Sequence, residues 1–245
     1  MTDVNQLNIT DRPGFIDSFI GSITRVTEDC ILDINSSNIS CLCATSDGTL
    51  VQYNEFSHEN TFDQIINIPD IKRLHKIMSC TSDNILTLNL DNNSISYKSP
   101  ETRFKFYLLD DGILQPPAIS LDKIKTLEYD NIFEIDHSRL TDLIKGSTFT
   151  NESEKMYIYT DDLGDVYGEL TDKEKPNMDS FCVKLASNVS KPISPLAFNF
   201  ENIRIVSSTR CDKLKFSINT TLSIIRVDIA QESCNISYII SALIK

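Results

Sequence analysis

The feature that most constrains this chain is an order of secondary-structure elements that occurs twice along its 245 residues. The first half reads as a helix, four strands, a second helix and three strands, at 14–23, 31–34, 39–45, 49–56, 65–68, 69–78, 84–90, 94–98 and 103–109. The second half reads as a strand, a helix, three strands, a helix and three strands, at 132–135, 139–145, 155–160, 165–171, 180–186, 198–209, 213–218, 222–228 and 235–243. The halves are offset by roughly 125–130 residues, and a repeat of this size indicates duplicated domains. We therefore predict an α+β chain of two domains, each with two helices packed on antiparallel sheets.

The segment between the halves has a mixed character. Residues 111–128 contain two adjacent prolines, which favour an extended backbone, but also six Ile and Leu residues. That apolar content is too high for a freely solvated linker, so this connector is expected to lie across the protein surface. Domain 1 is placed at 13–110 and domain 2 at 129–245, and residues 1–12 are expected to form a disordered leader.

Positive charge is gathered on the helices of an otherwise acidic chain. The formal net charge of −12 argues against contact with DNA, because affinity for DNA comes from Lys and Arg that neutralise phosphates. In the helix 69–78, however, Lys72, Arg73 and Lys76 lie opposite the apolar stripe at 100° per residue. The helices of the second half add Arg139, Lys145, Arg204 and Arg210. Each helix alone could simply present a solvated face, but recurrence on equivalent elements favours a shared role.

The residues that usually carry catalysis are sparse. The three histidines lie far apart, and no phosphate-binding loop, nucleophile elbow or dinucleotide fingerprint is present. The seven cysteines include no Cys-x-x-Cys pair, and several lie in apolar strand-like runs. Buried thiols in a reducing, cytoplasmic compartment explain them better than disulfides or a metal. We therefore expect no enzyme activity, cofactor, metal site or membrane span.

Several segments resemble the DNA polymerase sliding clamps, particularly those of T-even-type tailed phages and more distantly proliferating cell nuclear antigen. The resemblance covers about Phe15 to Leu243 and rests on the duplicated order and on local stretches. These stretches are Thr61–Leu74 before and within the second helix, the Asp91–Asn93 turn, Phe104–Leu109 and Ile135–Ile144. The family has no invariant catalytic motif, so it is recognised by pattern.

The resemblance implies a closed ring of six clamp domains, hence a homotrimer, that encircles duplex DNA without reading its sequence. Helices would line the hole, and an acidic outer wall would resolve the charge paradox. Strand 103–109 of one subunit would pair with 180–186 of the next, which removes exposed sheet edges. The residues assigned to this interface are Phe104, Phe106, Phe181 and Val183.

The resemblance also implies protein partners. A replicative DNA polymerase and an ATP-driven clamp loader would bind through short, partly apolar peptides beside the connector. The matching positions are Leu114, Ile119 and Leu121, with the C-terminal Ile244 and Lys245. Simple packing against the domains is the alternative role for each. The phage clamps further imply a viral replication protein in the host cytoplasm, and some of them also activate late transcription.

Two other classes of protein fit parts of the pattern. A monomeric or dimeric processivity factor of the herpesvirus kind shares the domain pattern without closing a ring. A β-rich viral structural protein would account for the many short strands and the Asn, Ser and Thr content. A structural protein has no need of paired amphipathic helices with basic outer faces, which favours the clamp.

Overall fold

The computed structural model describes residues 5–150, 153–189 and 191–243, which divide into two compact units. Unit 1 comprises residues up to Ser46 together with Gln52–Leu121 and Ala230–Ile236. Unit 2 comprises Asp47–Val51, Asp122–Ile229 and the residues from Ser237 onward.

The strands of the first half are β1 (Asn5–Ile9), β2 (Cys30–Ile34), β3 (Asn38–Ala44), β4 (Leu50–Ser57), β5 (Gln64–Ile68), β6 (Leu86–Asp91), β7 (Ser94–Lys98) and β8 (Arg103–Tyr107). Those of the second half are β9 (Asn131–Asp136), β10 (Lys155–Thr160), β11 (Val166–Leu170), β12 (Phe181–Ala186), β13 (Leu196–Asn199), β14 (Lys213–Asn219), β15 (Ile224–Ala230) and β16 (Cys234–Ser241). The helices are α1 (π-helical Gly14–Ile20 and the α-helical turn Gly21–Ile23), α2 (Ile71–Ser79), α3 (Leu121–Lys125), α4 (His137–Gly146) and α5 (Phe200–Ser207).

Unit 1 contains two antiparallel arrays. The first has the order β1-β6-β7-β8, with Leu7 opposite Leu88. The second has the order β5-β2-β3-β4 and continues into the start of β16, where the amide of Ser57 donates to the carbonyl of Ser233 at 2.8 Å. Burial alternates along β2, as expected for strands with one face on the core.

Unit 2 repeats both arrays. Strands β13-β10-β11-β12 form one, and β9-β14-β15-β16 form the other, which continues into the start of β4. There the amide of Ser241 donates to the carbonyl of Thr49 at 2.9 Å. A shared hydrogen bond fixes the correspondence of the units: Leu109 donates to Asn67 of β5 at 2.9 Å, and Leu243 donates to Ala197 of β13 at 2.7 Å. Strand β8 therefore corresponds to β16, and β4 corresponds to β12.

The core of each unit lies between its helices and its strands. In unit 1, Phe15 and Phe19 of α1 pack on Phe56 of β4, with ring centroids 5.2 and 6.0 Å apart. In unit 2, the buried residues of α4 and α5 include Leu140, Leu143 and Ile203. Burial of such side chains is the main favourable contribution to folding.

A buried polar network accompanies the π-helical part of α1. The side-chain amide of Asn54 is fully buried and donates to the carbonyl of Phe19 at 3.1 Å and to the hydroxyl of Ser22 at 2.7 Å. These bonds satisfy groups that the widened helix leaves without regular partners. At Gly14 a Cβ atom would lie 2.0 Å from the carboxylate of Asp11, so a larger residue would displace this carboxylate, which accepts a hydrogen bond from the Gly14 amide at 3.0 Å.

The predicted fold class is confirmed: the chain is α+β and duplicated, with antiparallel strands and few helices. Two element predictions were wrong. Residues 5–9 form β1, not a disordered leader, because Leu7 and Ile9 are buried and the backbone pairs with β6; residues 1–4 lie outside the described part. The helix expected over 198–209 begins only at Phe200, because Phe198 is buried in β13 and the Asn199 side chain caps α5.

Candidate functional site

Helix α2 presents the most basic face of unit 1. Its N-cap, Asp70, accepts a hydrogen bond from the amide of Arg73 at 2.8 Å, which satisfies one of the free donors at the helix start. Ile71, Leu74 and Met78 are buried. The three cations predicted to face DNA are all exposed, namely Lys72, Arg73 and Lys76. Their separation from the apolar stripe agrees with the helical periodicity.

Arg73 connects that basic face to a strand at the end of its sheet. Its guanidinium carbon lies 4.9 Å from the centroid of the Phe106 ring in β8. Phe106 is buried, whereas Phe104 is half-buried and stacks on Tyr97 with centroids 5.5 Å apart. The structure thus brings one predicted DNA-facing residue against one predicted interface residue.

Helix α4 presents the basic face of unit 2, although by element order its counterpart in unit 1 is α1. Arg139 and Lys145 are exposed, and together with Asp142 they line an open groove of about 530 Å³ whose other wall is Phe181–Lys184 of β12. Val183, a predicted interface residue, is buried, and Phe181 is half-buried. The basic residues of α4 therefore border β12 as Arg73 borders β8.

The close contact between Gly146 and the Phe181 ring was not predicted from the sequence. A Cβ atom at Gly146 would lie 2.0 Å from the Phe181 ring, so the ring sits directly over the last turn of α4. Glycine within a helix is less favourable than alanine. A glycine in the last turn of α4 was therefore the local sign of a close packing contact. Gly146 thus sets the position of β12 against α4.

The remaining predicted cations lie in different surroundings. Arg204 on α5 is half-exposed, with its guanidinium 4.9 Å from the Phe200 ring, 3.2 Å from the Ser147 hydroxyl and 3.9 Å from Glu201. Arg210 is exposed and follows α5. Helix α1 contains no Lys or Arg and carries Asp17. Among the helices longer than five residues, exposed positive charge is thus concentrated on α2 and α4, and the short α3 adds the exposed Lys123 and Lys125.

The connector covers a small cavity in unit 1. This connector cavity has a volume of about 190 Å³ and lies where β2 and β3 run under residues 114–117. Its lining consists of Thr27, Asp29, Cys30, Ile31, Leu42, Cys43, Ala44, Leu114, Gln115, Pro116 and Pro117. Of the predicted partner-binding residues Leu114 lines it, whereas Ile119 and Leu121 do not and are half-buried elsewhere. Ile244 and Lys245 lie outside the described residues.

Two buried thiols, those of Cys30 and Cys43, line the connector cavity, and Cys41 lies outside its lining. Cys30, Cys41 and Cys43 are buried and free of disulfides. Hydrogen bonds with the thiols of Cys30 and Cys43, together with burial, raise the pKa of Cys41. Protonated thiols behave as small apolar groups, so the floor suits an apolar side chain. The strand pattern at β3 predicted the burial but not the cavity, which depends on the distant connector.

Sequence comparisons find no matching family model and no similar curated protein. Solved structures do match. The chain is similar to the A. fulgidus PCNA solved with the C-terminal region of FEN-1, with a TM-score of 0.78 and 13% identity over 99% of both chains. It is similar to the proliferating cellular nuclear antigen of Entamoeba histolytica, with a TM-score of 0.76 and 13% identity over the whole of both chains. The chain therefore has the sliding-clamp fold along its full length.

The helices are all short. None of those in the described ranges is long and apolar enough to cross a membrane.

Proposed function

We propose that this chain is a sliding clamp, a non-enzymatic subunit of a closed homotrimeric ring that encircles duplex DNA and tethers a replicative DNA polymerase. The observation that carries the proposal is that two strands pair within the chain while their counterparts in the repeat have one unpaired edge. One end of β4 pairs with one end of β16 within each unit, whereas their counterparts in the repeat, β8 and β12, each stand at the end of a sheet. Because β8 and β12 correspond to two strands that pair within the chain, they have the shape to pair with each other between copies.

The free edge of β8 has its hydrogen-bonding groups available in a defined pattern. The amide of Leu108 donates to the carbonyl of Asn93 at 2.8 Å, and Ser99 donates to Thr102 at the same distance. Because bonded and non-bonded pairs alternate in an antiparallel ladder, the backbones of Lys105 and Tyr107 point away from β7. Those groups form a row that a second strand satisfies, and an unpaired row of this kind is an aggregation hazard if left open.

The predicted interface residues act in two ways in this proposal. Phe106 and Val183 are buried in their own units, so they hold the edge strands in shape. Phe104 and Phe181 are half-buried and supply the apolar surface that a second copy covers. Joining β8 of each copy to β12 of the next gives a head-to-tail contact, which closes when three two-domain copies supply six domains.

A ring accounts for the acidic chain. Its bore needs a mild basic lining from the helices, with no groove contacts that would fix it to one sequence. A closed ring stays on the DNA without binding it tightly. A polymerase bound to the ring therefore stays at high local concentration near its primer. Lys72, Arg73, Lys76, Arg139 and Lys145 are the lining residues we propose, with Arg204 and Arg210 contributing less.

The connector cavity is the proposed docking site for polymerase and clamp-loader peptides. Its volume suits one apolar side chain, and Leu114 with the two prolines forms its outer wall. The A. fulgidus structure contains the C-terminal region of FEN-1 bound to PCNA, and by analogy a partner's peptide binds here. The resemblance to phage clamps extends the proposal to viral replication in a host cytoplasm and to late transcription.

Light scattering tests the ring directly. The expected solution mass is three times the chain mass of 27.7 kDa. A monomer at high protein concentration contradicts the ring and favours the herpesvirus-type alternative. With loader and polymerase on primed DNA, the protein should lengthen the products, and Leu114→Asp should abolish that gain while the trimer mass is unchanged.

A further inference from the structure

The basic helix in each unit is the one beside the free edge strand. In unit 1, Arg73 of α2 lies on Phe106 of β8. In unit 2, Arg139 and Lys145 of α4 line the groove against β12. All three cations lie on the helix side of these strands, since Phe106 faces the core and Phe181 covers Gly146.

Helices α1 and α5 adjoin strands that are already paired, and they carry no net positive charge. Helix α1 contacts β4 through the hydrogen bond from Asn54 to Phe19 and contains no Lys or Arg. Thr209, just after α5, bonds to the buried hydroxyl of Tyr238 in β16 at 2.8 Å, and Arg204 contacts groups of its own unit. A bore lined evenly by four helices has no reason for this division.

We propose that each junction between copies forms a composite phosphate site for duplex DNA. Arg73 comes from the copy that supplies β8, and Arg139 and Lys145 come from the copy that supplies β12. Neither copy holds a complete site. The inference rests on the proposed ring, and it assigns DNA contact mainly to the junctions instead of to the whole bore.

The composition of the site has an energetic consequence. Joining the strands brings cations of two copies together beside Asp142, while Asp136 and Asp212 line the adjoining pocket on the other side of Lys145. Like charges in proximity repel, so the unliganded junction loses part of its stability. A bridging phosphate removes that cost, and by linkage duplex DNA stabilises the junction as much as the junction strengthens DNA binding.

Two edge variants allow one junction to be built at a time. Phe104→Asp disables the β8 edge, and Phe181→Asp disables the β12 edge; both side chains are half-buried, so folding is checked by circular dichroism. Each variant alone should be a monomer with weak affinity for a short fluorescent duplex. An equimolar mixture retains one intact junction, from β12 of the Phe104→Asp copy and β8 of the Phe181→Asp copy. The mixture should form a dimer and bind the duplex on the order of tenfold more tightly, as expected for two or three added phosphate contacts at low salt.

The position of a charge variant within that dimer gives the matched control. Arg73→Gln in the Phe181→Asp copy removes a cation from the intact junction and should cancel most of the gain. The same substitution in the Phe104→Asp copy lies at the disabled edge and should have little effect. Equal effects from the two placements would overturn the composite site.

The outcomes separate this inference from the ring itself. If no dimer forms and the wild type is monomeric, the ring is wrong. If the dimer forms but binds DNA no better than its monomers, the composite site is wrong and the ring stands. Should Phe104→Asp fail to fold, Lys105→Pro replaces it, because the Lys105 amide points to the free edge and its loss breaks no bond to β7.

Discussion

Helices α2 and α4 border strands at the ends of their sheets, whereas α1 and α5 border β4 and β16, which have neighbours on both sides. The first pair carries exposed Lys and Arg beside the edge strand. The second pair is joined to its strands by buried hydrogen bonds, such as those of Asn54 and Thr209. The two helices of one repeat therefore differ in charge, according to whether the strand beside each helix already has neighbours on both sides.

The two pairs of helices differ in the solvation and hydrogen bonding of their polar side chains. A buried polar network such as that of α1 must be fully satisfied, and it then specifies one packing arrangement within the chain. Charges beside an open edge stay solvated, and they oppose indiscriminate pairing of that edge with other chains. The basic side chains named above lie on the helix side and leave the strand backbone accessible, which is what the proposed junction between copies requires.

The largest expected effect comes from removing charge beside the free edge. Lys72, Arg73 and Lys76 changed together to Gln should weaken duplex binding by the assembled protein. The dependence of log affinity on log salt should become shallower by about 0.9 for each phosphate that the variant no longer neutralises. A salt titration by fluorescence anisotropy measures both quantities. The control, Arg204→Gln, should leave the slope nearly unchanged; an equal loss would mean that the two helix pairs do not differ in their interaction with DNA.

The packing of α4 on β12 gives the next largest effect. Gly146→Ala places a methyl group inside the Phe181 ring and should lower the free energy of unfolding by about 1–3 kcal/mol, a typical cost of overpacking. Urea unfolding measures this cost. Combining the change with Phe181→Ala should relieve it, and additive losses in this double-mutant cycle would show that the ring does not cause the strain.

The two basic helices begin differently, which supports a smaller test. Asp70 accepts the amide of Arg73, whereas Asp136 occupies the N-cap of α4 without a side-chain bond to the helix. Asp70→Ala should cost about 1 kcal/mol, and Asp136→Ala much less. Chemical denaturation of both variants makes the comparison, and similar losses would mean that capping does not account for the stability of α2.

Some parts of the fold were predictable from local sequence and others were not. The faces of α2 and α4 followed from apolar residues at helical spacing, because that pattern is local in sequence. The π-helical part of α1 did not, and the side chain that bonds to its Phe19 carbonyl, Asn54, comes from β4, 35 residues away. Strand β1 was missed because it is short and polar and because its partner is distant: Asn8 bonds to Thr87, 79 residues away.

The candidate site divides in the same way. Its cations were predictable from charge and periodicity, whereas the pairing of the two edge strands, which the family resemblance implies, stays a prediction. The close approach of Gly146 to Phe181 and the connector cavity depend on residues far apart in sequence. No local pattern encodes such proximity. The half-exposed state of Arg204 was also not predictable, because Arg204 bonds to Ser147 at the end of a different helix, α4.

The smallest expected effect concerns the face of β12 that points away from the helices. Lys184 donates to the carboxylate of Asp165, and this hydrogen bond holds the pKa of Asp165 below its usual value and raises the pKa of Lys184. Because the folded-state pKa of Asp165 is depressed, its contribution to stability is present above the unfolded pKa of about 3.9 and is lost as the pH falls through the folded pKa. Asp165→Asn should therefore be slightly less stable than the wild type at pH 7, and the difference should vanish in strong acid. Lys184 also borders the groove of Arg139 and Lys145, but the composite site as proposed does not include it, so duplex affinity should not change. A variant that binds DNA more tightly would mean that the outer face of the edge strand also contributes to the site, and the two faces of β12 would then not differ in function.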